Sequence, residues 1–419
     1  MNARKFSSTV KRALGLAALA GGALVLGLAA AELALRVAVK RPDTYSVLLP
    51  GTRIFEPDLR FVHGIEGPAR YEVNAAGLRG RTFGSDGSEY RILLVGGSTT
   101  ECTLLDIEEN WGTIVEADLG RTRDDRAIWV GNVGRSGLTA RDHAVTVKYL
   151  LPQYPVIDLV VVLVGVNDLT VALRQGTDYK RPAPVTDPEA ERIQIRNAFA
   201  ISPEGLYQPL TDGGALLESP WYTKTRLYDL ARRARTGQMA RGVTDQIGGS
   251  NLEQWRNHRQ AASAILDELP DLREPLAEYR ATLTAIVAAA RSSGADVVFL
   301  TQPSLWEPEI PAAHEHLLWL GGTGPFQEVS GQAYYSVSAL ATAMRLYNSE
   351  TLNVCSDEDL ECLDLAGLVP ADTTLLYDDV HFTEAGSALV GRLVAEHLRL
   401  TRPDVFAPDA SVDAITLTR

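Results

Sequence analysis

Cysteine is scarce in this chain: 419 residues carry three, Cys102, Cys355 and Cys362. Three thiols cannot staple a scaffold together, and none stands at zinc-ligand spacing. Histidine is nearly as rare, with seven residues. Positive charge is in deficit, because 40 Lys and Arg face 53 Asp and Glu, for a formal net charge of −13. Phosphate backbones are held by basic faces, so a nucleic acid is excluded as the expected partner. Two catalytic signatures are missing around the one Gly-Gly-Ser that ends an apolar run. No Gly-Lys-Ser/Thr follows it, which excludes a nucleotide-binding P-loop. Thr100 stands where an α/β-hydrolase elbow, Gly-x-Ser-x-Gly, would place its last glycine.

One uncharged run stands out, from Ala13 to Ala31, 19 residues in all. As a helix it would be roughly 28 Å long, close to the thickness of a bilayer's hydrocarbon core. Arg4, Lys5, Lys11 and Arg12 precede it. Basic residues in front of an apolar helix predict an amino terminus in the cytoplasm and a chain that continues on the other side of the inner membrane. A cleaved signal peptide is the competing reading, since Ala29-Ala30-Ala31 offers small residues for cleavage; its apolar core is usually about 7–15 residues. No cysteine lies close enough for a lipoprotein anchor.

The expected organisation is therefore a cytoplasmic end at 1–12, a single-pass anchor at 13–35 and a Pro- and Gly-punctuated leader at 36–88. A main domain follows over 89–400, interrupted by an insertion at 172–275, and a loose tail runs from Thr401. Within the leader, RYEVNAAGLRGRTF reads as a short strand and a turn. From Tyr90 onward, apolar runs alternate with helical patterns. Strands are expected at 91–95, 127–133, 158–166 and 295–301, and helices at 110–120, 140–151 and 280–291, with a last one over GSALVGRLVAEHLRL. Strands apolar on both faces and separated by helices predict an α/β fold with a parallel sheet covered on both sides. The third strand, nearly all Val and Leu, is expected at the centre. The insertion is charged and Pro-rich, with Trp221, Trp255 and a helix-like RLYDLARRA; it reads as a lid, a binding surface or a structural cap.

Ligands of an open α/β sheet sit beyond the carboxyl ends of its strands. There the sequence places Gly96-Gly97-Ser98, then GNVGRSGLT with Gly137, then GVND with Asn167 and Asp168, and finally YDDVHFTEAG with Asp378 and His381. Two glycines before a serine predict a backbone that passes close to a neighbour. A serine needs a base to act as a nucleophile. Among the histidines, His143 and His397 lie in helical patterns and read as surface or packing residues. His314 and His316 have no third ligand in view. Only His381 sits in a loop before a helix with a carboxylate three residues earlier to orient its ring. Asp-x-x-His followed by Thr383 and Glu384 also fits a helix cap, and both readings can hold together. A developing oxyanion would find donors in the backbone N–H groups of Ser98 and Gly137 and the Asn167 side chain. Cys102 is expected one turn into the helix after Ser98, as buried packing. Cys355 and Cys362 bracket an acidic, exposed loop; they can pair in an oxidising compartment, or stand as two independent thiols.

Block by block and in order, Ser98, Gly137, Asn167 and His381 resemble the four signature positions of the SGNH (GDSL-like) hydrolases, over roughly residues 89 to 400 without the insertion. Gly97 departs from the family's usual Asp. The resemblance implies a flavodoxin-like three-layer α/β/α sandwich. It also implies a Ser98–His381–Asp378 triad acting on esters through an acyl-enzyme, with Ser98, Gly137 and Asn167 as the oxyanion hole and no metal or cofactor. An anchor followed by VNAAGLRG and GGSTTE is similar to membrane-anchored bacterial members. The partner so implied is an acyl-ester substrate, first an O-acyl group on envelope carbohydrate and then a lipid ester. Acyl transfer to a sugar would use the same chemistry. A non-catalytic envelope binding protein on the same fold is the rival reading, which the intact set of site residues disfavours.

Overall fold

A computed structural model describes residues 3–38, 43–84, 87–154, 156–183, 187–203, 205–206, 222, 225–228, 230–231, 246–248, 250–311 and 314–406. The chain divides into two compact units, one of residues 1–43 and 217–242 and one of residues 44–216 and 243–419. In the first, a helix runs Ala3–Ala38, of which Val10–Ala38 is long and apolar enough to cross a membrane, at a mean hydropathy of 2.1. Of the expected RLYDLARRA helix, residues 226–228 and 230–231 are described and helical; the rest of it and Trp221 lie outside the described residues.

The second unit is built on a five-stranded parallel sheet. Its order is Glu361–Leu363, Asp296–Leu300, Leu159–Leu163, Glu89–Gly96, Ala127–Asn132. Numbered along the chain, that is 2-1-3-4-5, the flavodoxin-like order. Leu159–Leu163 is central and buried at every position, as its Val and Leu run predicts. The Trp111–Leu119 helix packs on the last helix, Glu384–Thr401. Ala140–Leu150, Arg273–Ser292 and Val337–Asp357 pack successively on one another. The chain leaves the first strand in one direction and returns over it to the third. Right-handed crossovers therefore put the Trp111 and Ala140 helices on opposite faces, which completes three layers.

Three expectations need correction. A fifth strand, Glu361–Leu363, is too short to show as an apolar run in sequence. It begins within the loop expected between Cys355 and Cys362, whose Ser356, Asp357 and Asp359 are exposed as expected, whereas Cys355 is buried in the last turn of Val337–Asp357; Cys362 lies in that strand, and the two are disulfide-bonded. The helix expected at 280–291 starts earlier, at Arg273, inside the span assigned to the insertion. The tail is not loose at once. Arg402 pairs with Glu361 and Asp296, and Phe406 is buried against the Tyr90 ring.

The leader forms an antiparallel pair, Gly51–Pro57 with Ala69–Val73, and Gln246–Gly248 adds to it in parallel. The turn after Val73 is made by Asn74, whose Oδ1 accepts the N–H groups of Ala76 and Leu78. Beyond it Arg79, almost wholly buried, reaches under the start of the main domain and donates to the carbonyls of Glu101, Cys102 and Leu105.

Candidate active site

The first strand ends where its neighbours crowd it. A Cβ on Gly96 would stand 2.3 Å from the Leu163 carbonyl of the adjacent strand. Only glycine lets the backbone pass there and turn. A Cβ on Gly97 would stand 2.7 Å from Asn167 Nδ2. The space that the family's usual Asp would enter is thus taken by an amide. Ser98 opens a one-turn helix, Ser98–Glu101, whose N–H groups at Thr100 and Glu101 return to the Gly97 carbonyl. Cys102 is not inside that helix, contrary to expectation. It ends it in the left-handed region at φ 50°, with its thiol buried and its pKa raised to about 12 by that burial.

His381 arrives on the loop that precedes the last helix, Glu384–Thr401. Its Nε2 lies 2.7 Å from Ser98 Oγ, and its Nδ1 lies 2.8 Å from Asp378 Oδ2. Residues 283 positions apart thus form one hydrogen-bonded line. Asp378 is fully buried, and its Oδ1 accepts the backbone N–H groups of Val380 and His381 at 3.0 and 2.9 Å. Burial alone would raise its pKa. The adjacent imidazole, the Trp319 indole N–H and the backbone donors outweigh burial and hold it below the usual carboxylate range. Burial pulls the His381 pKa down, but the charges of Asp378 and Asp379 overcome this and leave it raised above 6.5. The ring also stacks on Tyr377. Thr383 caps the final helix by accepting from Gly386 N, so the cap and the oriented histidine coexist.

The other two positions flank Ser98. Gly137 has φ 79°, a left-handed turn that leads into Leu138. The Leu138 carbonyl accepts Asn167 Nδ2 at 2.8 Å. An amide nitrogen carries two hydrogens, so one fixes the side chain and the other stays free for a ligand. Asp168, next along, takes the Ala140 N–H with both carboxyl oxygens at 3.1 Å. Burial, joined by the charges of Asp142 and Glu278, raises its pKa to about 8.

The remaining histidines take no part. His143 is buried and held neutral, its pKa pulled down to about 3 by burial and then by the Arg135 charge. His63 and His258 bond to the carbonyls of Thr373 and Phe326, and His397 pairs with Glu361. Among the described residues no cluster of His, Cys, Asp and Glu could hold a metal ion.

Several supporting residues were not identified from sequence. Glu101, the acid that ends GGSTTE, receives Tyr71 Oη at 2.7 Å and both the N–H and hydroxyl of Ser136 at 2.6 Å. It ties the leader and the Gly137 turn to the Ser98–Glu101 helix. Asp379, beside Asp378, is buried and accepts from Trp306 Nε1 and from the backbone of Trp319 and Leu320. The double Asp in YDDVH was visible in sequence; its division of labour was not.

A 2-1-3-4-5 sheet carrying a Ser–His–Asp line at its carboxyl edge defines an α/β ester hydrolase of the SGNH class. The family model of the GDSL-like lipase/acylhydrolases matches residues 94–389, more than two thirds of the chain. The chain belongs to that family. Among curated proteins none matches it. Solved structures that resemble it include the acetylxylan esterase Axe2 of Geobacillus stearothermophilus, 15% identical, with a TM-score of 0.36 over 74% of this chain and 94% of that one. A G-D-S-L family member from Veillonella parvula is 11% identical, with a TM-score of 0.37 over 75% and 99%. LAE5, an alpha/beta hydrolase from the metagenome of Lake Arreo, is 14% identical, with a TM-score of 0.36 over 76% and 96%.

Proposed function

We propose that this chain is a membrane-anchored serine esterase in which Ser98, His381 and Asp378 are the catalytic residues. The observation that carries the reading is the line from Ser98 Oγ to His381 Nε2 at 2.7 Å and from His381 Nδ1 to Asp378 at 2.8 Å. Ser98 Oγ attacks the ester carbonyl while His381 Nε2 takes its proton, and Asp378 stabilises the imidazolium that forms. The oxyanion is received by the backbone N–H groups of Ser98 and Gly137 and by Asn167 Nδ2. Collapse returns the proton to the leaving alcohol and leaves an acyl-enzyme at Ser98. Water, deprotonated by His381, then releases the acid.

The apolar amino-terminal helix behind a basic flank supports a single-pass anchor in the inner membrane, with the esterase on the side away from the cytoplasm. The disulfide between Cys355 and Cys362 is consistent with that oxidising side. An enzyme so placed meets O-acyl groups of envelope carbohydrate first and lipid esters second. The test is labelling by a fluorophosphonate probe, with turnover of p-nitrophenyl acetate, in the wild type, Ser98→Ala and His381→Ala. Labelling and turnover are expected in the wild type alone; a well-folded wild type that shows neither would rule the reading out.

A further inference from the structure

Asp378 holds one partner that a Ser–His–Asp line does not require. Its Oδ2, which faces His381 Nδ1, also accepts the indole N–H of Trp319 at 3.0 Å. Trp319 comes from the segment after the fourth sheet strand, 59 residues before Asp378. It is 6% exposed and clamped on three sides. Its backbone N–H donates to Asp379 Oδ2 at 2.7 Å, and Asp379 is itself fixed by Trp306 Nε1 at 2.8 Å. Its ring stacks on Trp255 at 4.4 Å. Trp255 lies on the Ser250–Gln260 helix, at the end of the span read as an insertion. The next residue of that helix, Arg256, donates to the carbonyls of Leu317, Phe61 and Tyr377, and so ties the Trp319 segment to the Asp378 loop.

An indole N–H is a donor only, and it is neutral. At a buried carboxylate it withdraws negative charge from Oδ2 without bringing a counter-charge. It thereby weakens the hold of Asp378 on an imidazolium and fixes the carboxylate plane. We infer that Trp319 is a positioning residue of the reaction: its indole N–H sets the orientation and basicity of Asp378, and through Asp378 the proton affinity of His381, while the Ser250–Gln260 helix holds the indole in place. The inference rests on the triad reading above.

The charged and titratable groups around the pair are Asp379 and Tyr377 on the same loop and Arg256 on the Ser250–Gln260 helix, with Arg259 of that helix acting on Asp379. None changes in the experiment. The full-length protein in detergent is assayed with p-nitrophenyl acetate across pH as wild type, Trp319→Phe, Trp255→Phe, and with 3-benzothienylalanine at position 319, which keeps the bicyclic shape but has sulfur in place of N–H. The wild-type acid limb of kcat/KM is expected above 6.5, because His381 must be neutral and its pKa is raised. Both enzymes lacking the N–H are expected to lose about tenfold in kcat with little change in KM. Their acid limb is expected to move up by about half a unit, since Asp378 then binds the imidazolium more tightly. Trp255→Phe, which keeps the indole donor, is expected to lower Tm and leave the limb in place. The benzothienyl enzyme guards against Trp319→Phe simply failing to fold. Wild-type kcat and an unmoved limb in it would reduce Trp319 to packing and overturn the inference while the triad stands. A wild type that neither labels nor turns over would instead remove the triad, and this inference with it.

Discussion

The nucleophile side and the acid side of the site are held by different means. Ser98 is placed by its own neighbourhood: two glycines, a one-turn helix and the strand edges on either side. Asp378 and His381 are placed by groups from distant stretches, namely Trp306, Trp319 and Arg256. A turn written in a few adjacent residues is specified locally, even where Arg79 and Tyr71 of the leader close it from outside. A carboxylate braced by indoles from another loop is correct only once the tertiary structure is complete. The same contrast separates two acids. Asp378 has an imidazole, an indole and backbone N–H groups as partners, and its pKa is held down; Asp168 has only backbone N–H groups, and its pKa is raised.

The largest expected effect comes from removing the charge on the acid side. Asp378→Asn should lower kcat by about 10⁴, because the amide favours the wrong tautomer of His381. Fluorophosphonate labelling should fall in parallel, and a loss under tenfold would mean the acid side is not needed to orient the ring. On the nucleophile side, Glu101→Gln should cost about tenfold in kcat with KM little changed, since it weakens the charge-assisted bonds to Ser136 beside the Gly137 turn. Steady-state kinetics would show this, and a rise in KM alone would assign Glu101 to substrate binding. The smallest effect concerns Asp168. Its folded pKa is raised from 3.8 to about 8, so ionisation works against the fold, and the wild type should lose stability as pH rises through that window. Asp168→Asn, which keeps an acceptor for the Ala140 N–H, should flatten that fall; Tm recorded at pH 5 and pH 8 in both proteins tests it.

This contrast also marks what sequence could convey. The sheet was legible because its strands are continuous apolar runs, and the central place of Leu159–Leu163 followed from its Val content. Ser98, Gly137, Asn167 and His381 were legible because each closes a block at a strand end or opens a helix. Glu361–Leu363 was not, since three residues, two half-buried and one buried, leave no periodic pattern. Trp319 was not, because nothing local distinguishes an indole that braces a carboxylate from one that fills a core. Arg79 reads as an ordinary leader arginine, and only the fold shows it buried beneath three carbonyls.

That arginine separates two kinds of boundary. The stretch shared with the family begins at residue 94, whereas the guanidinium closing the turn after Ser98 is supplied fifteen residues earlier, at Arg79. What is inherited as a recognisable family and what must fold as one body are therefore of different lengths. A protein trimmed to its family limits would keep every residue of the Ser98–His381–Asp378 line and lose the guanidinium that donates to the Glu101, Cys102 and Leu105 carbonyls; the first two keep another donor, in Asn110 Nδ2 and Leu105 N, and leaving the buried Leu105 carbonyl unpaired costs about 1–3 kcal/mol.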